Sequence, residues 1–324
     1  MAPRSRWVHR PGLKSVDLEY SPTRQPARAE ERRTIRAPFP MRNAAGFTVI
    51  AVLGAITFAF PRPARAAGAV QEKDLYAGWL KMYDLKFDDA HRSFAAWKQN
   101  YPDDPLGPAS NAAAYLFSEL ARLGALESEL FVDDSGFKER AKLRPDSTKK
   151  TLFGQEIARA EQLADAALQR FGNDSNALFV KSLAFGLRAD NAGLIEKQSL
   201  AALSYTKEGR VYAERLMQSN PDAADAYLGP GVENYLLSLK PAPSRVLLRM
   251  TGSNIDRERG LEEIRQTASH GHYLEPFAKL LLAVAALRDN NPVRARELLA
   301  ELHVRFPDNE LYIREMGRID KGLR

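Results

Sequence analysis

The chain has 324 residues, 44% of them hydrophobic, no cysteine and a formal charge of +6. That supplies apolar mass for a sizeable core and excludes disulfides, thiolate chemistry and cysteine-ligated metal. The positive charge sits at the front. Residues 1–66 hold twelve Lys/Arg against four Asp/Glu, so the remainder is mildly acidic, with its basic residues dispersed among acids, and offers no footprint for nucleic acid.

Residues 1–40 are rich in Arg and Pro and lack apolar periodicity; they read either as a disordered extension or as a mis-assigned start ahead of Met41. Residues 41–66 have the parts of a signal peptide. Arg42 precedes an apolar run from Ala44 to Phe60, and Ala64-Arg65-Ala66 is a small-x-small ending that places cleavage before Ala67. The apolar run is also long enough for the alternative, an uncleaved inner-membrane anchor, which would be the chain's contact with a membrane. Either way, export into the periplasm or beyond is expected.

The remaining residues, 67–324, carry an internal repeat. Asp74 to Pro105 and Pro276 to Asn309 superpose without gaps, with Gly78 on Ala283, Ala90 on Ala295, Phe94 on Leu299 and Tyr101-Pro102-Asp103 on Phe306-Pro307-Asp308. Small residues let two antiparallel helices approach, bulky residues one turn apart fill the groove between pairs, and each proline disfavours helix in the residue before it. Weaker echoes follow at Gln155 to Phe171, where Gly172 is the expected stop, and before Asn220-Pro221-Asp222. The spacing predicts about six units of the roughly 34-residue period, four recognisable and two distorted. Irregular inserts are expected near 125–150 and 227–253. In the second, Gly229-Pro230-Gly231 reads as a breaker: it lacks the lysine of a phosphate loop, and Pro230 removes a donor.

The pattern of small residue, alanine, bulky residue and closing proline resembles the tetratricopeptide repeat (TPR) family. The resemblance implies an all-α fold, an α-α superhelix of antiparallel helix pairs, and recognition of a protein or peptide segment rather than catalysis. A shorter run, Gly252, Asp256, Arg257, Gly260 and Leu261, is similar to part of eukaryotic tetratricopeptide proteins linked to the mitochondrial outer membrane and inclusion-body clearance, and carries over fold alone.

Candidate sites are few. Tyr76, Trp79, Tyr83 and Phe87 recur at helical spacing, and Phe94 and Trp97 follow in the second helix; Tyr76, Trp79, Tyr83 and Trp97 are the candidate lining of a partner groove, and the bland alternative is a core stripe. His270-Gly271-His272 invites a metal, but no neighbouring ligand completes a set, and the pair reads more simply as a helix-terminal turn with Gly271 left-handed. Asp103-Asp104 and Asp133-Asp134 fit no calcium-loop spacing and read as solvated caps. No catalytic residue, cofactor or metal is therefore assigned. The expected function is a non-enzymatic envelope scaffold for protein–protein interaction. The alternatives are a metal-dependent hydrolase and a solute-binding helical component of a transport system, the latter favoured by an enclosed cavity in place of an open groove.

Overall fold

The computed structural model describes residues 68–126, 144–245 and 255–322. The chain divides into two units, Met1–Pro61 and Arg62–Arg324, and the described residues all belong to the second. The leader at 41–66, the extension before it, residues 127–143 of the first expected insert and the end of the second from 246 lie outside them.

Among the described residues every regular element is helical. The long helices are α1 (Gly68–Tyr83), α2 (Phe87–Asn100), α3 (Leu106–Arg122), α4 (Ser147–Arg170), α5 (Ser175–Asp190), α6 (Ser199–Ser219), α7 (Leu228–Ser238), α8 (Arg257–His270), α9 (Glu275–Arg288), α10 (Pro292–Arg305) and α11 (Glu310–Gly322). Consecutive helices pack as five pairs, α1/α2 to α9/α10, and α11 lies on α10 as a closing helix. Helix α3 also touches α1 and α5, and α5 touches α7, so the first helices of successive pairs stack against one another. This is the expected helix-pair array, with five pairs among the described residues. None of these helices is long and apolar enough to cross a membrane.

The two superposable segments share more than side chains. In both, the turn between helices reverses through a left-handed residue, Leu85 (φ 60°) and its repeat-equivalent Asn290 (φ 53°). The same backbone bonds close the turn, Lys86 N–H to Lys81 O at 2.9 Å and Asn291 N–H to Ala286 O at 2.8 Å. Gly78 makes the first pair possible: a Cβ there would stand 2.5 Å from the ring of Phe94, which is itself wholly buried. Tyr101 and Phe306, each before a proline, leave the helical region with φ of −132° and −129° and end α2 and α10.

Three sequence readings are corrected. Gly229-Pro230-Gly231 is not a breaker but the first turn of α7, where a missing N–H costs nothing because the first-turn donors have no intrahelical partner. The region from 227 onward therefore keeps the rhythm, with α7 pairing with α8. Gly231 and Gly260 explain why: a Cβ on Gly260 would meet the Gly231 carbonyl at 2.8 Å and the Tyr235 nitrogen at 2.7 Å, so these backbones cross without side chains between them. Gly271 is extended (φ −62°, ψ 149°) rather than left-handed, and is required because a Cβ would lie 2.5 Å from the Thr267 carbonyl and 2.7 Å from Asp225. Gly172 also lacks a positive φ; α4 ends at extended Phe171, and Asp174 caps α5 through Ala177 N–H at 2.8 Å.

The array closes on itself. Tyr83, at the end of α1, donates its hydroxyl to the Tyr273 carbonyl at 2.9 Å, and Asn309 Nδ2 donates to the Tyr83 carbonyl at 2.8 Å. Asp308 N–H meets Asp84 at 2.9 Å, Lys86 bridges Asp84 and Asp308, and Arg305 donates to the Tyr76 hydroxyl at 2.6 Å. Apolar contact accompanies the bonds: Tyr83 packs on Phe306 with centroids 5.7 Å apart, and Phe117 of α3 meets Phe277 of α9 edge-on at 5.3 Å. Burial pushes the Tyr83 hydroxyl well above its ordinary range and keeps it a donor.

Three stability outcomes follow. Gly260→Ala should cost about 2 kcal/mol, because backbone rather than a movable side chain opposes the new methyl, whereas Gly317→Ala, in α11 with nothing within 4 Å, should gain up to about 1 kcal/mol; urea midpoints of the two variants check both. Tyr83→Phe should cost about 1–2 kcal/mol by leaving the Tyr273 carbonyl unpaired, with α1 amides then exchanging faster than those of α5 in hydrogen-exchange measurements.

Candidate binding site

The four aromatic candidates do not share a groove. Trp79 is fully buried, with its indole N–H on Ser110 at 2.9 Å, and Tyr83 forms the closing seam. Tyr76 is half-buried and stacks on His272 at 4.4 Å. Trp97, bonded to Asp104 at 2.9 Å, borders a separate surface depression with Tyr101 and Lys81. Closure is the physical reason: the inner face that an open array would offer to a peptide is covered here by the array's own far end.

The histidine pair serves architecture. The N–H groups of His272, Tyr273 and Leu274 all donate to the Asp225 carboxylate, at 2.9 to 3.1 Å. Asp225 thereby caps the start of α9 from the turn before α7, a favourable place for an anion. Burial nevertheless raises its pKa, against those three bonds, which lower it. Among the described residues no three His, Asp or Glu side chains gather as a metal set.

What the inner face of the array does hold is a row of part-open pockets. A cavity of about 310 Å³ lies by the seam, lined by Tyr83, Leu85, Phe117, Phe277, Asn309 and Tyr312 among others. Two smaller chambers adjoin it. One, of about 120 Å³, is bounded by Trp79, Phe117, Phe179, Phe277, Asp190 and Arg210; the other, of about 110 Å³, by Asp190, Tyr235, Phe277, Leu280 and Arg288. Phe277 is a wall of all three, and Asp190 of the latter two. Closely packed helices seldom leave such gaps between them, so their polar edges carry information.

Asp190 is the last residue of α5, where the helix widens into a single π turn, Asn191–Ile195, before Lys197 reverses the chain with φ 55°. Turns of this kind recur at functional sites. Among the described residues no side-chain hydrogen bond or ion pair reaches its carboxyl, and burial alone pushes it up to about 7. Arg210, on α6 across the same chamber, is tied to Glu214 at 2.7 Å and to buried Glu233 at 3.1 Å, yet its Nη2 is buried without a partner. The Tyr235 hydroxyl, on the wall of the other chamber, is likewise buried and unpaired. None of these three appeared among the sequence candidates, because an acid at a helix end looks the same whether water or a void lies beyond it.

No family model matches the chain. Among solved structures it is similar to a thermophilic TPR protein of Thermus thermophilus, at 16% identity and a TM-score of 0.40, over 76% of this chain and 97% of that one.

The raised Asp190 pKa has a signed consequence. Unfolded, the carboxyl ionises near its ordinary 3.8; folded, it does so near 7, so the folded state binds the extra proton between them and stability falls as pH rises through that window. Asp190→Asn should therefore be more stable than the parent by about 2 kcal/mol or more at about pH 8, with the advantage shrinking toward about pH 4, as read from urea melts across pH.

Proposed function

We propose that this chain is a non-enzymatic, TPR-like helical scaffold of the cell envelope that works by engaging a protein partner. What supports the reading is the surface that helix pairing leaves outside. Many ionisable side chains are spent on ties between helices, such as Lys98 to Glu156, Lys181 to Asp165 and Arg188 to Glu161, rather than converging as a reaction centre. Meanwhile Leu200 (86% exposed) and Val211 (56% exposed) stand three turns apart on one face of α6, with exposed Ser204 and Glu208 between them. A helix face with apolar anchors at this spacing suits the groove of another protein. Because the inner face is closed, the partner is met from outside.

The compartment is read from the leader. Arg42, the apolar run and Ala64-Arg65-Ala66 direct the chain across the inner membrane, and cleavage before Ala67 releases the helical body. Crosslinking in cells followed by mass spectrometry tests both halves of the reading. The expected result is a processed chain beginning at Ala67, with crosslinks from 199–211 to one envelope protein that disappear in Leu200→Asp/Val211→Asp while the thermal melt is unchanged. Unaltered crosslinks in the double variant would sink the α6 surface, an unprocessed cytoplasmic chain would sink the location, and stoichiometric metal lost on His272→Ala would favour a hydrolase.

A further inference from the structure

The aromatic chamber beside α5 borders a carboxyl that, among the described residues, no side-chain hydrogen bond or ion pair meets. Four rings, Trp79, Phe117, Phe179 and Phe277, share its wall with the Asp190 carboxyl. The other charged groups around it do not answer that carboxyl. Arg210 of α6 is engaged by Glu214 and Glu233, Asp225 faces the chamber as a second acid already held by three N–H groups, and Arg288 of α9 borders the neighbouring chamber. Counting Glu214 and Glu233 against Arg210, the immediate surroundings carry more negative than positive charge. A carboxylate with aromatic faces about it is the chemistry that receives an organic ammonium group, whose charge the acid and the ring quadrupoles both attract.

Size narrows the class. A chamber of about 120 Å³ is of the order of a known protein cavity, roughly 150 Å³, that takes up benzene, and the adjoining chamber of about 110 Å³ shares the same acid. We propose that this part-open chamber is a binding site for a small apolar monoamine, with its ammonium group on Asp190 and its hydrocarbon or aryl body among Trp79, Phe117, Phe179 and Phe277. The π turn at Asn191–Ile195 leaves Asp190 at the chamber's edge, and Gly186, one turn earlier on α5, lines the chamber with no atom within 4 Å of where its Cβ would be. The glycine keeps the space open. This site is independent of the outer α6 surface, so either proposal stands if the other fails.

Phenethylamine and its neutral isostere phenethyl alcohol separate charge from apolar fit. Titration calorimetry on the full chain at about pH 8, where Asp190 is ionised, should give saturable amine binding about tenfold or more tighter than the alcohol. Asp190→Asn should reduce the amine to the alcohol's level and leave the alcohol unchanged. For the parent, amine affinity should fall as pH drops through about 7 toward 6, since the amine stays protonated while the acid is neutralised. Gly186→Leu, whose Cβ meets no neighbour, should abolish binding of both probes with the thermal melt retained. The site is overturned if the parent shows no saturable amine binding at millimolar concentration, if amine and alcohol bind alike, if Asp190→Asn leaves the preference intact, or if folded Gly186→Leu still binds.

Discussion

Tyr83 sits where the first helix pair is tied to the last, and most of what is distinctive here depends on that tie. Its ring lies between Phe117 and Phe306, its hydroxyl donates to Tyr273, and its carbonyl receives Asn309. A stack of helix pairs is held together by contacts between neighbours, and nothing in that scheme brings residues 83 and 309 together. The tie folds the inner surface back on itself. Once the inner helices face one another instead of solvent, their side chains must either interlock or leave gaps, and around Phe277 they leave gaps.

Those gaps have a polar boundary because the helices that surround them end there. Asp190 closes α5, Asp225 lies in the turn before α7, and Arg210 and Glu233 lie on the facing flanks of α6 and α7. Asp225 is satisfied by the α9 start and Glu233 by Arg210. Among the described residues Asp190 is the exception, and the cost of keeping it part-buried without a hydrogen-bond or ion-pair partner is the physical argument that something else completes it.

The helix-pair architecture was legible wherever a pair has one wet side. In Asp74 to Pro105 and Pro276 to Asn309 the outer helix shows a polar face, so the spacing of Gly78, Ala90 and Phe94 stands out, and even the unusual turn at Leu85 recurs at Asn290. Helix α3 was silent for the opposite reason. Ala109, Ala112, Ala113, Ala114, Leu116 and Leu120 are buried around its circumference among α1, α2, α4 and α5, so no polar stripe marks a period. Gly231 and Gly260 misled because a helix crossing needs the same residue that a turn does. The pocket beside α5 was illegible altogether, since it joins side chains from α1, α3, α5, α6 and α9 through a closure that no local pattern encodes.

That closure also sets a limit on how the chain can evolve. An open stack of helix pairs grows or shrinks by whole units, because each new pair finds the same neighbour surface that the old one did. Here an added or deleted pair would carry residues 305 to 309 away from residues 76 to 86 and strand Asn309, Asp308 and Arg305 from their partners. Duplication, the usual route by which such arrays diversify, is thereby closed to this one, and variation is steered into its connecting segments and outer helix faces.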